Sequence, residues 1–93
     1  MKKRGDPAMP KEYVTFALGK RIAYLRNQAG MTQLELSLES GLAKSYVCEL
    51  EAGKRNPSLL TLEKVCLALK VTLSDLFEGL GPVVGGYRFK SPL

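Results

Sequence analysis

The segment from Thr32 to Gly53 limits what this chain can fold into more than any other part of its sequence. Thr32 and Glu35 have the T-x-x-E spacing of a capping box, in which each side chain satisfies a backbone amide at the start of a helix. Gly41 ends that helix early, because glycine adopts the positive φ angle of a sharp turn without steric cost. A second short helix follows from about Ala43 and ends at Gly53. The segment therefore predicts two short helices joined by a tight turn, which is a helix-turn-helix.

Helical patterns flank this segment on both sides. Apolar residues recur at spacings of three and four from about residue 10 to residue 29, and again after Ser58, which can cap a helix. Thr72 and Asp75 indicate a capped fifth helix. The predicted core-facing residues are Val14, Leu18, Ile22, Leu25 and Ala29 in the first helix, Leu59, Leu62, Val65, Cys66 and Leu69 in the fourth, and Leu73, Leu76 and Phe77 in the fifth. The sequence thus predicts an all-α domain of five helices.

The second helix of the predicted pair has one apolar side, which would hold it against a core, and one polar side. The polar side carries Lys44, Ser45 and Glu49. Such a helix fits the DNA major groove, which is about 12 Å wide. There Lys44 can donate to guanine, Ser45 can donate or accept, and Glu49 can accept from cytosine or exclude other bases by repulsion. We therefore expect these three residues to contact bases, although the same pattern in isolation would also suit a solvated helix face.

Polar residues on either side of this helix are placed to hold the DNA backbone. Gln33 begins the first helix of the pair, where free amides favour phosphate. Lys54, Arg55 and Asn56 follow the second helix directly. Tyr46 suits the core, a phosphate contact or both. We expect these five residues to position the protein on DNA without reading its sequence.

Composition argues against several other classes of protein. The 93-residue chain has a net charge of +5 and no histidine, which removes the commonest general base and metal ligand. Cys48 and Cys66 have no zinc-site spacing. With no paired carboxylates and no Gly-rich phosphate loop, we expect no enzyme, no cofactor and no metal. We expect Cys66 in the core and Cys48 facing outward, where a redox-sensing thiol is an alternative to an inert one.

The ends of the chain differ from its middle. We assign residues 1–9 to a basic N-terminal tail, residues 10–79 to the DNA-binding domain and residues 80–93 to a C-terminal arm. The tail is either unstructured or an arm that touches phosphates or enters the minor groove. The C-terminal arm, with Val83, Val84, Tyr87 and Phe89, is either a short dimerisation strand or a flexible tail. No segment is long and apolar enough to span a membrane, and no secretory signal is present, so we expect a cytoplasmic protein.

The ordered set of motifs over residues 18–77 resembles the phage-repressor and Cro (XRE-type) family of helix-turn-helix domains, which includes the controller proteins of restriction-modification systems. The motifs that carry the resemblance are Thr32-Gln33 with Glu35-Leu36, Gly41, Tyr46-Val47, Leu50-Glu51, Gly53-Lys54-Arg55-Asn56-Pro57-Ser58 and Thr61-Leu62. The resemblance implies a compact five-helix bundle of the lambda-repressor-like type, to which this chain adds a short C-terminal arm.

The resemblance also implies roles for individual residues. Gln33, Lys44, Ser45 and Glu49 match the positions that usually face DNA in the family. Arg26 and Glu51 match a structural ion pair that joins the DNA-reading helix to the first helix.

Two positions depart from the family pattern. Ala43 stands where many relatives have a serine or threonine that caps the reading helix, so a first-turn amide is left for water or phosphate. Cys48 stands where relatives often have a serine that meets the DNA backbone, which weakens a phosphate contact there.

Together these observations predict a sequence-specific regulator of transcription, a repressor, that binds double-stranded DNA. One short reading helix offers few contacts, whereas two helices about 34 Å apart read a palindromic operator, so we expect a homodimer. Family habit places its interface on the last helix, at Leu73, Leu76 and Phe77. The chain leaves little room for a small-molecule effector. An antitoxin or protein-binding modulator that grips a partner with the C-terminal arm is the alternative.

Overall fold

The computed structural model describes residues 13–83 and 86–87. Its helices are α1 (Tyr13–Gln28), α2 (Gln33–Ser40), α3 (Lys44–Glu51), α4 (Leu59–Leu69) and α5 (Leu73–Leu76). Two short strands follow, β1 (Pro82–Val83) and β2 (Gly86–Tyr87), which pair antiparallel. The prediction of a five-helix, α-helical fold is confirmed, with this small strand pair added in the C-terminal arm. None of the described helices is long and apolar enough to cross a membrane.

Several expectations about the chain ends lie outside the described residues. They concern the basic tail at residues 1–9 and, in the C-terminal arm, Val84 and Phe89. The proposed division into tail, domain and arm therefore stays a prediction, and the roles of the arm's side chains stay predictions too.

Local hydrogen bonds define the start of α2 and the turn to α3. Thr32 Oγ1 accepts from the Glu35 amide at 3.0 Å, and the Thr32 amide donates to Glu35 Oε1 at 2.8 Å. Both bonds of the predicted capping box are therefore present. At the other end, Gly41 has a φ angle of 78°, and its amide donates to Ser37 O at 2.9 Å. The sharp turn after eight helical residues thus follows from Gly41, as the sequence predicts.

The helices after the helix-turn-helix begin in the same way. Ser58 accepts from the Thr61 amide at the start of α4. Thr72 and Asp75 exchange both bonds of a capping box at the start of α5. The hydrogen bonds between Thr72 and the Asp75 carboxylate hold the pKa of Asp75 below its ordinary value. The positions of α4 and α5 along the chain are therefore set by capping residues that the sequence makes visible.

The core lies where α1 to α5 converge, and it takes its residues from all five helices. The buried apolar residues of this cluster are Leu18, Ile22, Leu36, Val47, Leu50, Leu62, Val65, Cys66, Leu69 and Leu76. The predicted core-facing stripes are wrong at their ends, because four of their members are exposed. These four are Val14, Ala29, Leu59 and Phe77. Each lies in the first turn of its helix or just past its last residue, where the neighbouring helices no longer cover it.

α1 and α3 approach each other closely at Gly19. A Cβ atom at this position would lie 2.5 Å from Glu51 O and 2.6 Å from Leu50 O. The last turn of α3 therefore rests directly on the backbone of α1. This contact fixes the inclination of α3 relative to the rest of the bundle.

Arg21 attaches α5 to α1. Its side chain is largely buried and donates to Asp75 O from Nη2 at 2.7 Å and from Nε at 3.2 Å. A longer contact of 3.5 Å joins it to Glu78. The Glu78 amide also donates to the Asp75 carbonyl, at 3.3 Å, so the guanidinium adds a second donor at the end of α5 and holds the short helix against α1.

Candidate nucleic-acid interface

α3 is divided into a side that packs and a side that faces solvent. Val47 and Leu50 are fully buried on the packed side. Lys44 and Ser45 are exposed, and Glu49 is partly exposed. The three residues predicted to contact bases therefore lie on the surface of α3, and their contact with DNA stays a prediction.

The start of α3 is uncapped by any side chain. Ala43 occupies the N-cap position with extended backbone angles, and no side-chain hydrogen bond reaches the first-turn amides. The sequence predicted this, because alanine lacks the oxygen that serine or threonine would supply. α3 thus begins with backbone donors that a capping side chain would otherwise occupy.

A buried ion pair connects α3 to α1. Arg26 Nε donates to Glu51 Oε2 at 2.6 Å and Nη2 donates to Oε1 at 3.0 Å, a bidentate geometry. The side chains are only 13% and 7% exposed. The hydrogen bonds that Arg26 donates to Glu51 raise the pKa of Arg26. Arg26 Nη1 also donates to Met31 O at 2.8 Å, so one guanidinium holds both the end of α3 and the chain segment that leads into α2.

Gln33 joins the same network from α2. Its Nε2 donates to Glu51 Oε1 at 3.0 Å. An amide nitrogen carries two hydrogens, so this bond leaves the second one for another acceptor. The network therefore positions Gln33 at the start of α2, and its contact with a DNA phosphate stays a prediction.

The chain reverses direction immediately after α3. Gly53 has a φ angle of 79°, its amide donates to Leu50 O at 3.1 Å, and the Lys54 amide donates to Glu49 O at 2.9 Å. This bond pattern is a Schellman motif, which requires a left-handed residue at this position. A Cβ atom at Gly53 would also lie 2.9 Å from Phe16 Cα. The basic residues after α3 are consequently brought back beside the end of the helix.

This reversal brings together two residues for which we predicted separate roles. Arg55 Nε donates to Glu49 Oε1 at 2.7 Å. The Arg55 guanidinium also lies 5.0 Å from the centre of the Tyr46 ring, within range of a cation–π interaction. Arg55, which we predicted to contact phosphate, therefore binds Glu49, which we predicted to contact a base. Sequence reasoning missed this pair, although the glycine between them, with Glu49 four residues before and Arg55 two residues after, was its visible signal.

An open cleft of about 200 Å³ lies beside this pair. It is lined by Thr15, Gly53, Lys54, Arg55 and Asn56. Two cations, an amide and a hydroxyl are the groups that commonly hold DNA phosphates. The structure therefore brings the three predicted backbone contacts of this loop together. It adds Thr15 from the first turn of α1, which had no distinguishing signal in the sequence.

The residues predicted for a dimer interface are not equally available. Leu76 is fully buried within the chain, so it offers no surface to a second copy and its assignment to an interface is corrected here. Leu73 is partly buried and Phe77 is 39% exposed, so both retain surface. On α4, Leu60 and Leu67 are more than 70% exposed. Sequence reasoning passed over these two leucines because they fall off the core-facing stripe of their helix.

The two cysteines differ as predicted in their exposure. Cys48 is exposed on α3, whereas Cys66 is buried, and burial raises the pKa of the Cys66 thiol. Within the described part of the chain, no group of histidine, cysteine and acidic residues is arranged to hold a metal ion.

The segment that contains α2 and α3 matches a known protein family. The family profile HTH_3, described as "Helix-turn-helix", matches residues 22–76, from the middle of α1 to the last residue of α5. The chain belongs to this helix-turn-helix family. The resemblance inferred from the sequence motifs is confirmed, and α2 and α3 are the two helices of the motif.

Individual relatives agree with this assignment. The chain is 39% identical over 59 residues to the "Uncharacterized HTH-type transcriptional regulator y4dJ" of Sinorhizobium fredii, a match that covers 63% of this chain and 77% of the relative. It is equally identical over 59 residues to the immunity repressor protein of Bacillus phage phi105 but spans only 41% of that protein's length. These relatives are named as regulators rather than enzymes.

Solved structures with the same fold include restriction-modification controller proteins. C.AhdI from Aeromonas hydrophila superposes with a TM-score of 0.67 at 38% identity, over 68% of this chain and 96% of C.AhdI. The C.Esp1396I protein superposes with a TM-score of 0.68 at 27% identity, over 72% of this chain and 88% of C.Esp1396I. That C.Esp1396I structure is a tetramer in complex with its natural 35 base-pair operator.

Proposed function

We propose that this protein is a sequence-specific regulator of transcription, a repressor, that binds double-stranded DNA as a homodimer on a palindromic operator. The observation that carries the proposal is the attachment of α3. Its inner side is locked to α1 and α2 through Arg26, Glu51 and Gln33, while its outer side holds Lys44 and Ser45 in solvent. A rigid helix with polar groups on its free side is what the major groove accepts.

The contacts divide into two kinds. Lys44, Ser45 and Glu49 read base edges from α3, which is where the hydrogen-bond pattern of each base pair is distinct. Gln33, Tyr46 and the cleft beside residues 53–56 hold the phosphates on either side. The net charge of +5 supports this assignment, because a basic protein gains affinity for any duplex by releasing counterions.

The homodimer is supported by the size of the reading helix. α3 has eight residues, and only about half of its surface is free for DNA. Two copies one turn of DNA apart double the number of base contacts. Leu73 and Phe77 are the interface residues that keep exposed surface, and the exposed Leu60 and Leu67 of α4 add apolar area that favours association.

We propose that the protein acts where DNA is transcribed, which for the bacterial relatives is the cytoplasm, and that it has no catalytic role. The alternative function, an antitoxin or protein-binding modulator, depends on side chains of the C-terminal arm that the structure does not describe. It therefore stays a prediction beside the DNA-binding one.

Selection of bound duplexes from a random oligonucleotide pool tests the proposal. We expect the selected sequences to converge on a palindrome, because two identical α3 helices related by a two-fold axis read inverted half-sites. The centres of the half-sites should lie about one helical turn apart. Recovery of a single half-site would argue against the dimer. A bound pool in which no sequence is enriched would argue against sequence-specific binding altogether.

A further inference from the structure

The Glu49 carboxylate accepts a hydrogen bond from Arg55, which is one of the cations proposed to hold DNA phosphate. We propose that Glu49 determines specificity by competing with DNA phosphate for Arg55, so that Arg55 is released to the backbone only where Glu49 finds a donor in the groove. This inference rests on the proposed DNA-binding function and assigns a second task to a residue of the same surface.

The geometry holds Arg55 in a position from which it can exchange partners. Its guanidinium donates to Glu49 Oε1 at 2.7 Å on one side and lies over the Tyr46 ring on the other. The Schellman turn at Gly53 fixes the backbone between them. Arg55 and Glu49 are 49% and 45% exposed, so a phosphate can reach the guanidinium without unfolding any part of the chain.

The exchange has different consequences on different sequences. An ionised carboxylate can only accept hydrogen bonds, so Glu49 needs a new donor when Arg55 turns to a phosphate. In the major groove the exposed amino group of cytosine is such a donor. Where cytosine is present, Glu49 exchanges one donor for another. Where it is absent, two anions share a single guanidinium, and the close approach of α3 to DNA is disfavoured.

The energy available to this competition is modest, because both side chains are half exposed. Exposed ion pairs contribute between nothing and about 1 kcal/mol, which corresponds to an effect of up to about fivefold on affinity. An effect of this size is measurable, and it acts on every non-cognate site that the protein meets.

The variant Glu49→Gln tests the inference, with Glu63→Gln on α4 as a matched control that makes the same charge change away from Arg55. Affinity is measured as a function of salt on a duplex selected by the wild-type protein and on a scrambled duplex of the same composition. We expect Glu49→Gln to bind the scrambled duplex roughly two- to fivefold more tightly than the control does. The salt slope should steepen by about 0.9 as Arg55 gains a phosphate. Affinity for the selected duplex should change less, because the glutamine oxygen still accepts from cytosine.

Repeating the comparison in an Arg55→Ala background tests whether Glu49→Gln acts through Arg55. We expect the effect of Glu49→Gln on the scrambled duplex to disappear there, because the guanidinium for which Glu49 and the phosphate compete is absent. An effect of equal size with and without Arg55, or one no larger than that of Glu63→Gln, overturns the inference while leaving DNA binding intact. Failure of the wild-type protein to bind either duplex overturns the proposed function and this inference with it. Thermal unfolding of each variant, which should match the wild type within a few degrees, confirms that the proteins compared are folded.

Discussion

Arg26 and Glu51 form an ion pair that holds α3 against α1. Their contact is bidentate and almost fully buried, and Gln33 donates to the same carboxylate. Burial makes such a pair costly to break, because removal of one partner leaves the other charge without compensation in a poorly solvated site. The pair therefore acts as a constraint on geometry more than as a source of net stability.

The consequence of breaking this pair can be predicted. Arg26→Ala should lower the free energy of unfolding by about 3–5 kcal/mol, because it leaves Glu51 charged and buried. The matched control is Arg55→Ala, which removes the same residue type from the exposed pair with Glu49 and should cost at most about 1 kcal/mol. Urea unfolding followed by circular dichroism measures both values. Equal losses in the two variants would show that burial of the Arg26–Glu51 pair does not increase the free energy lost when the pair is broken.

At the scale of single residues, the sequence predicts what depends on chain neighbours and misses what depends on packing. The capping pair of Thr32 and Glu35 spans three positions, so its spacing is visible in the sequence. The bond from Arg21 to the Asp75 carbonyl joins residues 54 positions apart and leaves no periodic mark. Likewise, nothing in the sequence distinguishes Thr15 from other surface threonines until α1 packs beside the loop after α3.

At the scale of helices, the close approach of α1 and α3 is the feature that orients the DNA-facing surface. It requires the absence of a side chain at Gly19, where α3 contributes backbone oxygens to the contact. The helix-turn-helix itself was predictable, since caps and glycines mark its ends. The crossing of α1 over α3 was not, because a glycine within a helix has the same appearance whether or not another helix rests on it.

Gly19→Ala should separate these two helices. The added methyl group would meet the oxygens of Leu50 and Glu51 at about 2.5 Å, and backbone oxygens cannot rotate away as a side chain would. Overpacking of this kind costs about 1–3 kcal/mol, which exceeds the roughly 1 kcal/mol that alanine contributes to helix propensity. We expect both the melting temperature and the affinity for a selected duplex to fall.

The control for this variant is Gly30→Ala, where the added methyl group has nothing within 4 Å. Its positive φ angle makes that substitution destabilising as well, but α3 keeps its place. The folded Gly30→Ala protein should therefore retain its DNA affinity. Unchanged DNA binding by folded Gly19→Ala would contradict the idea that this contact orients α3.

At the scale of the whole molecule, α3 lies beside a basic cleft, while apolar side chains remain exposed on α4 and at the end of α5. The first surface suits DNA and the second suits a second copy of the chain. The sequence predicted the helix-turn-helix well, because the caps and glycines that define it lie close together in the chain. It predicted the exposed apolar residues less well, since Leu76 is buried, and Leu60 and Leu67, the most exposed leucines of α4, lie off the predicted stripe.

The most direct test of the central claim, that α3 reads base sequence through Lys44, is a binding panel on the selected duplex with each base pair substituted in turn. For the wild-type protein we expect about 1–3 kcal/mol of discrimination at the guanine that Lys44 contacts. Lys44→Ala should lose that discrimination at this position alone. Lys54→Ala should keep the whole base profile while weakening binding to every duplex and lowering the salt slope by about one. A Lys44→Ala protein that discriminates among bases as the wild type does would contradict the account.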